Sequence, residues 1–323
     1  MGIEQIVEAI SSLNPQLQLV LVGSCVFFPL FFMEIIWYRL KKKNYDWAET
    51  RASFGVWIGQ IVSRMIFGGI ILFTAFQIEK IALFKIEMST FWHWVILFFA
   101  VDLSYYWFHR LSHEIRWLWA SHCVHHSGTF MNFVAALRLG WTPVFSLGWL
   151  AYMPVILIGF EAMHVLGVLG VSLLYQYVLH TEMIYKFPKF IEYTLNTPSN
   201  HRVHHACNPR YLDRNHGGVL MIWDHIFGTY VEEVEEEPVK YGLVKDLNSK
   251  NPFYIAFQEW IHMWQDVKTD RSPKEVLLYL FGPPGWSHDG SRQTSEQARK
   301  AFHDRDQQKL AYDDEQQDFS RSA

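Results

Sequence analysis

The histidines constrain this chain more than anything else in its 323 residues. Half of its sixteen fall into three tight clusters: His109 and His113; His122, His125 and His126; and His201, His204 and His205. On a helix, residues three and four apart share a face. The spacing therefore predicts that His109 converges with His113, His122 with His125 and His126, and His201 with His204 and His205. A single histidine is ordinarily a core or surface residue; eight at helical spacing are a ligand set. One metal does not use eight protein ligands, but two metals can share them. Neutral imidazole suits iron, zinc, copper and nickel alike, so spacing does not name the metal. Any fold must bring these distant segments together.

The rest of the chain is apolar. Hydrophobic residues make up 50%, aromatics 17% and charged residues only 19%, with a net charge of −4, which leaves no basic surface for nucleic acid. Cys25, Cys123 and Cys207 form no C-x-x-C pair and read as reduced thiols. Met1 to Ile10 has no basic start, so no secretory signal is expected, and Ile6 argues against myristoylation. Long apolar runs cover residues 17–38, 54–84 and 90–108, and residues 141–179 suit a hairpin of two short helices. About twenty such residues cross a bilayer as a helix. Arg39, Lys41, Lys42 and Lys43 follow the first run, which places that end in the cytoplasm and the N-terminus outside. Counting crossings from there puts every histidine cluster on the cytoplasmic face.

The expected fold class is all-α: a polytopic membrane helical bundle with a cytosolic-side helical cap carrying a histidine-rich dimetal site. Residues 1–285 read as one membrane-embedded domain, and residues 286–323 as a polar tail, weakly ordered or a charged helix. The competing fold is a soluble helical protein with buried helices. An integral membrane protein of this kind sits in the inner membrane of a bacterium or the endoplasmic reticulum of a eukaryote. In the third cluster, Ser199 or Asn200 can cap a helix that His201 opens and Pro209 ends. The acidic run of residues 231–240 reads as solvated surface, and residues 252–264 as an amphipathic helix for the membrane surface or the cytosolic cap. Asp102 lies two turns before His109 and is placed to accept the second imidazole N–H of His109 or His113; the alternative is a buried acid with another polar partner. Glu114 points off the His109/His113 face and can serve as an outer ligand support, a cofactor contact or a surface acid.

The motifs H-R-L-S-H-E (109–114), H-C-V-H-H (122–126) and H-R-V-H-H (201–205) resemble the histidine boxes of the fatty acid hydroxylase and sterol desaturase superfamily of membrane di-iron oxygenases. Leu137-Arg138, Tyr175-Gln176 before His180-Thr181-Glu182, Asn196-Thr197-Pro198-Ser199 and the run from Gly218 to Thr229 are most similar to its alkylglycerol monooxygenase-like branch. The likeness covers roughly residues 50–245. It implies two irons on the eight box histidines (zinc fits the same ligands), with His180 as a further ligand and no catalytic group beyond the metal site. It also implies dioxygen-dependent hydroxylation, ether cleavage included, or desaturation of a lipid C–H bond. That branch takes electrons from tetrahydrobiopterin. His216 departs from the tyrosine expected in the animal ether-cleaving enzymes, which loosens the pterin and ether assignments. The chain carries no haem-binding or iron–sulfur segment, so an external electron donor is expected, protein or diffusible. An alternative within the family is a sterol or fatty acid desaturase or hydroxylase with a protein donor. The competing classes are a membrane zinc hydrolase, which needs three ligands and a Glu base, and a metal transporter, which needs polar residues along its spans.

Overall fold

The computed structural model describes residues 15–305, 307 and 308, with side chains from residue 23 onward. The readings of Met1 to Ile10 and of the end of the tail lie outside these residues. The described chain is all helical, with only isolated β-bridges, Leu195 to Leu220 and Ala206 to Tyr241, between extended segments. The first two helices are α1 (Pro15–Leu40) and α2 (Trp47–Lys80). Both are long and apolar enough to cross a membrane. The α2 helix starts seven residues before the expected run and ends four before its end, because Asp46 caps it, its Oδ1 accepting from Glu49 N at 2.9 Å. Its outward residues between 58 and 66 are Ile58, Ile61, Val62, Met65 and Ile66, with Arg64 the one charge among them. A water-facing helix carries charge at such positions.

Helix α3 (Phe91–Glu114) does not stop at residue 108: it continues unbroken through His109 and His113. After Ile115 the chain re-enters a helix, α4 (Arg116–His126), which carries the second cluster. The expected hairpin is only half formed. Its first limb is broken into α5 (Pro143–Ser146), a 3-10 turn (Gly148–Tyr152) and α6 (Met153–Ile158), while its second is continuous, α7 (Ala162–Tyr177). Pro143 opens the limb, the first break falls at Leu147 with φ +64, the second just before Pro154, and Gly159 ends the limb. Proline lacks the N–H that an interior helical turn needs, and Gly159 adopts φ +137. One apolar core, including Leu97, Val101, Tyr105, Ile156, Ala162 and Val165, joins α3 to α6 and α7. Gly59 on α2 accepts the face of Trp141: a Cβ there would lie 2.0 Å from the indole.

Short helices follow: α8 (Lys189–Thr194), α9 (Pro198–His204) and α10 (Ile222–Ile226). Thr197, rather than Ser199 or Asn200, caps α9, because Pro198 takes its first position and Thr197 accepts from Asn200 N at 3.2 Å. His201 therefore lies inside the helix. Helix α11 (Pro252–Val267) buries Ile255, Ala256 and Met263 and presents Phe253, Phe257, Ile261 and Trp264 outward; α12 (Pro273–Phe281) follows. Buried ion pairs tie these layers. Arg116 meets Glu259 and Asp266, each at 2.7 Å, and Arg138 meets Glu49 at 2.5 Å. The acidic run is not all solvated, since Glu233 pairs with Arg202 of α9 at 2.7 Å. Beyond residue 285 the chain folds back, with Arg292 on Asp266 at 2.6 Å and a helical stretch over residues 295–305.

Candidate metal centre

Four segments deliver the histidines. On α3, His109 and His113 stand one turn apart and aim together. On α4, His122 and His126 share a face, and His125 is turned about 100° from His126, since a helix turns through 360° in 3.6 residues. The same rotation splits α9 and its end, where His201 and His205 are one turn apart and His204 points elsewhere. His180 follows α7. The result is two groups: His109, His113, His122, His126 and His204 in one, and His125, His180, His201 and His205 in the other, with the ligand atoms of each within 4.8 Å of one another. The expectation that each box converges on itself is corrected. The second and third boxes are both divided between the groups, because a shared face tolerates i,i+4 but not adjacent residues.

The groups abut. The His126 and His205 rings stack at 4.4 Å, and His204 and His205 are 5.3 Å apart. Within the five-ring group, His113 lies 5.5, 5.0, 4.6 and 4.8 Å from His109, His122, His126 and His204. It sits at the apex of a pyramid, and His122 and His204 are an opposed pair at 6.5 Å. In the four-ring group the opposed pair is His125 and His201, also at 6.5 Å.

The outer nitrogens are held. The Nδ1–H of His109 donates to the His216 carbonyl at 2.8 Å, that of His125 to Arg138 O at 3.2 Å, that of His180 to Gln176 O at 3.0 Å, and that of His204 to Arg214 O at 2.9 Å. A carbonyl only accepts, so these Nδ1 atoms carry the proton and each Nε2 presents a bare lone pair inward. His125 and His180 thus point lone pairs at each other across 3.1 Å. His180 and His201 approach to 2.9 Å, His201 and His205 to 3.1 Å, and His126 and His204 to 3.1 Å. The Nε2 atoms of His109 and His113 have no partner among the described residues. Protons do not resolve the conflict. Burial, then the backbone and neighbouring rings, leaves His125 down at about 4, and burial with adjacent imidazoles holds His126, His201, His204 and His205 well below the usual range. Neutral rings with converging lone pairs are what a divalent cation requires, and these nine side chains can hold two.

Asp102 does not support a ring. Its carboxylate accepts from Val219 N at 3.0 Å, Leu220 N at 3.2 Å and Trp223 Nε1 at 2.9 Å, anchoring the loop before α10. The carboxylate under the centre is Asp213, whose Oδ1 accepts from His113 Nδ1 at 3.2 Å. Glu114 faces outward and pairs with Arg110 at 2.8 Å. His216 is buried, its ring 5.1 Å from His113 and both its nitrogens without a partner among the described residues. Neither Asp213 nor His216 had a spacing signal, since both belong to a loop beyond the third box. A cavity of about 560 Å3, with Arg116, Asp213, Gln258 and Arg292 among its lining residues beside apolar ones such as Trp119 and Leu243, opens onto His113, His126 and His204.

Residues 94–229 match the fatty acid hydroxylase family model. The chain is 38% identical to the alkylglycerol monooxygenase of Xenopus tropicalis over 60% of its own length and 43% of that protein. It is 38% identical to the alkylglycerol monooxygenase of Homo sapiens over 64% of its length and 46% of that protein. It is 27% identical to the ornithine lipid hydroxylase OlsE of Rhizobium tropici over 59% of each chain. The chain thus spans less than half the length of the alkylglycerol monooxygenases it matches. No solved structure matches it.

Proposed function

We propose, from a chain that carries a domain of the fatty acid hydroxylase family over residues 94–229, that this protein is a membrane-bound, dioxygen-dependent lipid hydroxylase with two irons. The observation that carries the reading is the set of nine imidazoles turned Nε2-inward into two abutting groups. His109, His113, His122, His126 and His204 would hold one metal, and His125, His180, His201 and His205 the other. When bound, the irons supply the dioxygen activation that breaks a C–H bond. The chain's own part is to orient His109, His113, His125, His180 and His204 through their Nδ1 atoms, to bury the rings, and to place the centre at the edge of the apolar helices. The four-ring group would give its metal one side-chain ligand fewer than the five-ring group, which would leave exogenous ligands more room there. The groups contain no carboxylate, which argues against a zinc hydrolase with a Glu base.

Hydroxylation is preferred over desaturation because the relatives' names are those of a monooxygenase and a hydroxylase. An ether lipid of the alkylglycerol class is one candidate substrate and an amino-acid lipid another. The bundle is polytopic, with α1, α2, α3 and the α5–α7 region at membrane depth. Lys41, Lys42 and Lys43 orient the centre toward the cytoplasm. Residues 1–285 make up the membrane-embedded domain, with the segment beyond it folded onto its polar side. Electrons come from an external donor, with tetrahydrobiopterin the first to try. The test is metal analysis of the purified protein, followed by oxygen uptake with alkylglycerols and with ornithine lipid. Two irons per chain and lipid-dependent uptake support the reading; redox-inert zinc with no oxygen uptake overturns it.

A further inference from the structure

We propose that residues 213–216 form a template loop that shapes the five-imidazole group alone, and that Asp213 is its principal positioning residue. The proposal rests on the metal-centre reading above. Three of the five rings end on this four-residue loop: His113 on the Asp213 carboxylate at 3.2 Å, His204 on the Arg214 carbonyl at 2.9 Å and His109 on the His216 carbonyl at 2.8 Å. The rings come from two helices far apart in sequence, so one short segment sets the relative orientation of α3 and α9 side chains.

The loop is built to hold that shape. Asp213 and Asn215 adopt left-handed φ values of +50 and +56. Asp and Asn enter this region more readily than other non-glycine residues, and buried bonds hold them there. The Asn215 amide, wholly buried, donates to Asn200 O at 3.2 Å and Val231 O at 2.8 Å, and its oxygen accepts from Val231 N at 2.8 Å. Asp224 accepts from His216 N and Gly217 N, both at 2.7 Å, and from Thr229 Oγ1 at 2.6 Å. Arg299, from the segment folded back over the site, lies 3.6 Å from the outer oxygen of Asp213. None of the four-ring group's rings hydrogen-bonds to this loop: His125 and His180 are held by Arg138 O and Gln176 O, on separate elements. Outer partners of metal-bound imidazoles typically change metal affinity 10–100-fold, so the two sites should separate on mutation.

The test is a Zn2+ titration of the apo full-length protein in detergent against a chromophoric chelator. The wild type takes up two ions. Asp213→Ala weakens one site about 10–100-fold and leaves the other unchanged. Asp213→Asn, whose amide oxygen still accepts from His113, restores most of the loss, which a merely space-filling role would not predict. Asn215→Gly keeps the left-handed backbone but loses the anchoring bonds, and it repeats the selective weakening. Arg299→Ala does so more mildly, and these two decide the matter if Asp213→Ala does not fold. A His205→Ala background, with the four-ring group disabled, identifies the weakened site as the five-ring one. Equal weakening of both sites, or of neither, in a chain that binds two ions overturns the loop. A wild type that binds no metal overturns the centre itself.

Discussion

The five-imidazole and four-imidazole groups are built from the same boxes but by different means. The first draws on α3, α4 and α9 and is locked from one side by a loop and the cavity-lining residues around Asp213. The second gathers His125, His180, His201 and His205 around backbone carbonyls, close to Thr181, whose hydroxyl donates to the buried Glu34 of α1 at 3.2 Å. One group is organised from the polar side of the protein, the other from the apolar helices. The contrast teaches that a histidine box is not a site: the second and third boxes each supply both groups and the first supplies only one, and the surroundings differentiate them.

The largest expected effects test that division directly. His204→Ala and His125→Ala should each reduce oxygen-dependent lipid turnover by at least about 100-fold, the scale on which losing a metal or its partners acts. Metal analysis should find the loss confined to the five-ring group in the first and the four-ring group in the second. Full activity in either variant breaks the comparison. Next in size is Arg138→Met, which leaves the buried Glu49 with only Lys250 and loosens the segment carrying the carbonyl that holds His125. Breaking a buried pair costs roughly 3–5 kcal/mol, less here because Lys250 remains. A lowered melting temperature with selective weakening of the four-ring site is the expected outcome.

Acidification comes third and acts on both groups. The folded rings bind fewer protons than the unfolded chain, with His125 held at about 4 against an ordinary 6.5. Stability therefore falls as pH drops through about 6.5 and continues to fall toward about 4. Denaturant melts of the apo protein at several pH values should show that window, and a flat profile would contradict neutral, buried rings. The smallest effects are expected at two acids that stand outside the rings. Asp102→Asn should cost about 1–3 kcal/mol through the α10 loop, and Glu114→Ala under about 1 kcal/mol for an exposed pair. Neither should change metal content, in contrast to Asp213.

Much of this architecture was legible in the residues. The helical class, the first two long helices and the gathering of His109, His113, His122, His125, His126, His180, His201, His204 and His205 follow from apolar runs, i,i+4 spacing and the box resemblance. The division of the boxes was also available, because His125 is about 100° from His126 on any helix; treating H-x-x-H-H as one face concealed it. For Asp102 the sequence left an imidazole and another polar partner both open, and the structure has the second, because periodicity places a side chain on a face but not against a partner. The partner that took its carboxylate, the backbone at Val219 and Leu220, lies more than a hundred residues away. Asp213 was invisible for the same reason, and His216 stood out only by departing from an expected tyrosine: both are placed by a loop that long-range bonds fix. In the broken first limb of the hairpin, Pro154 and Gly159 signalled two of the interruptions, while the left-handed Leu147 carried no signal in the apolar run around it.

Helix α3 runs without interruption for 24 residues from Phe91 to Glu114, so a rod about 36 Å long ends in two imidazoles. If it crosses the bilayer as proposed, lipid thickness is mechanically coupled to the reaction chamber. Leaning the rod to suit thinner lipid would swing His109 and His113 sideways as a unit, against a loop that cannot follow. Turnover measured across a series of acyl-chain lengths should therefore peak sharply, at the thickness for which the rod stands in its native tilt.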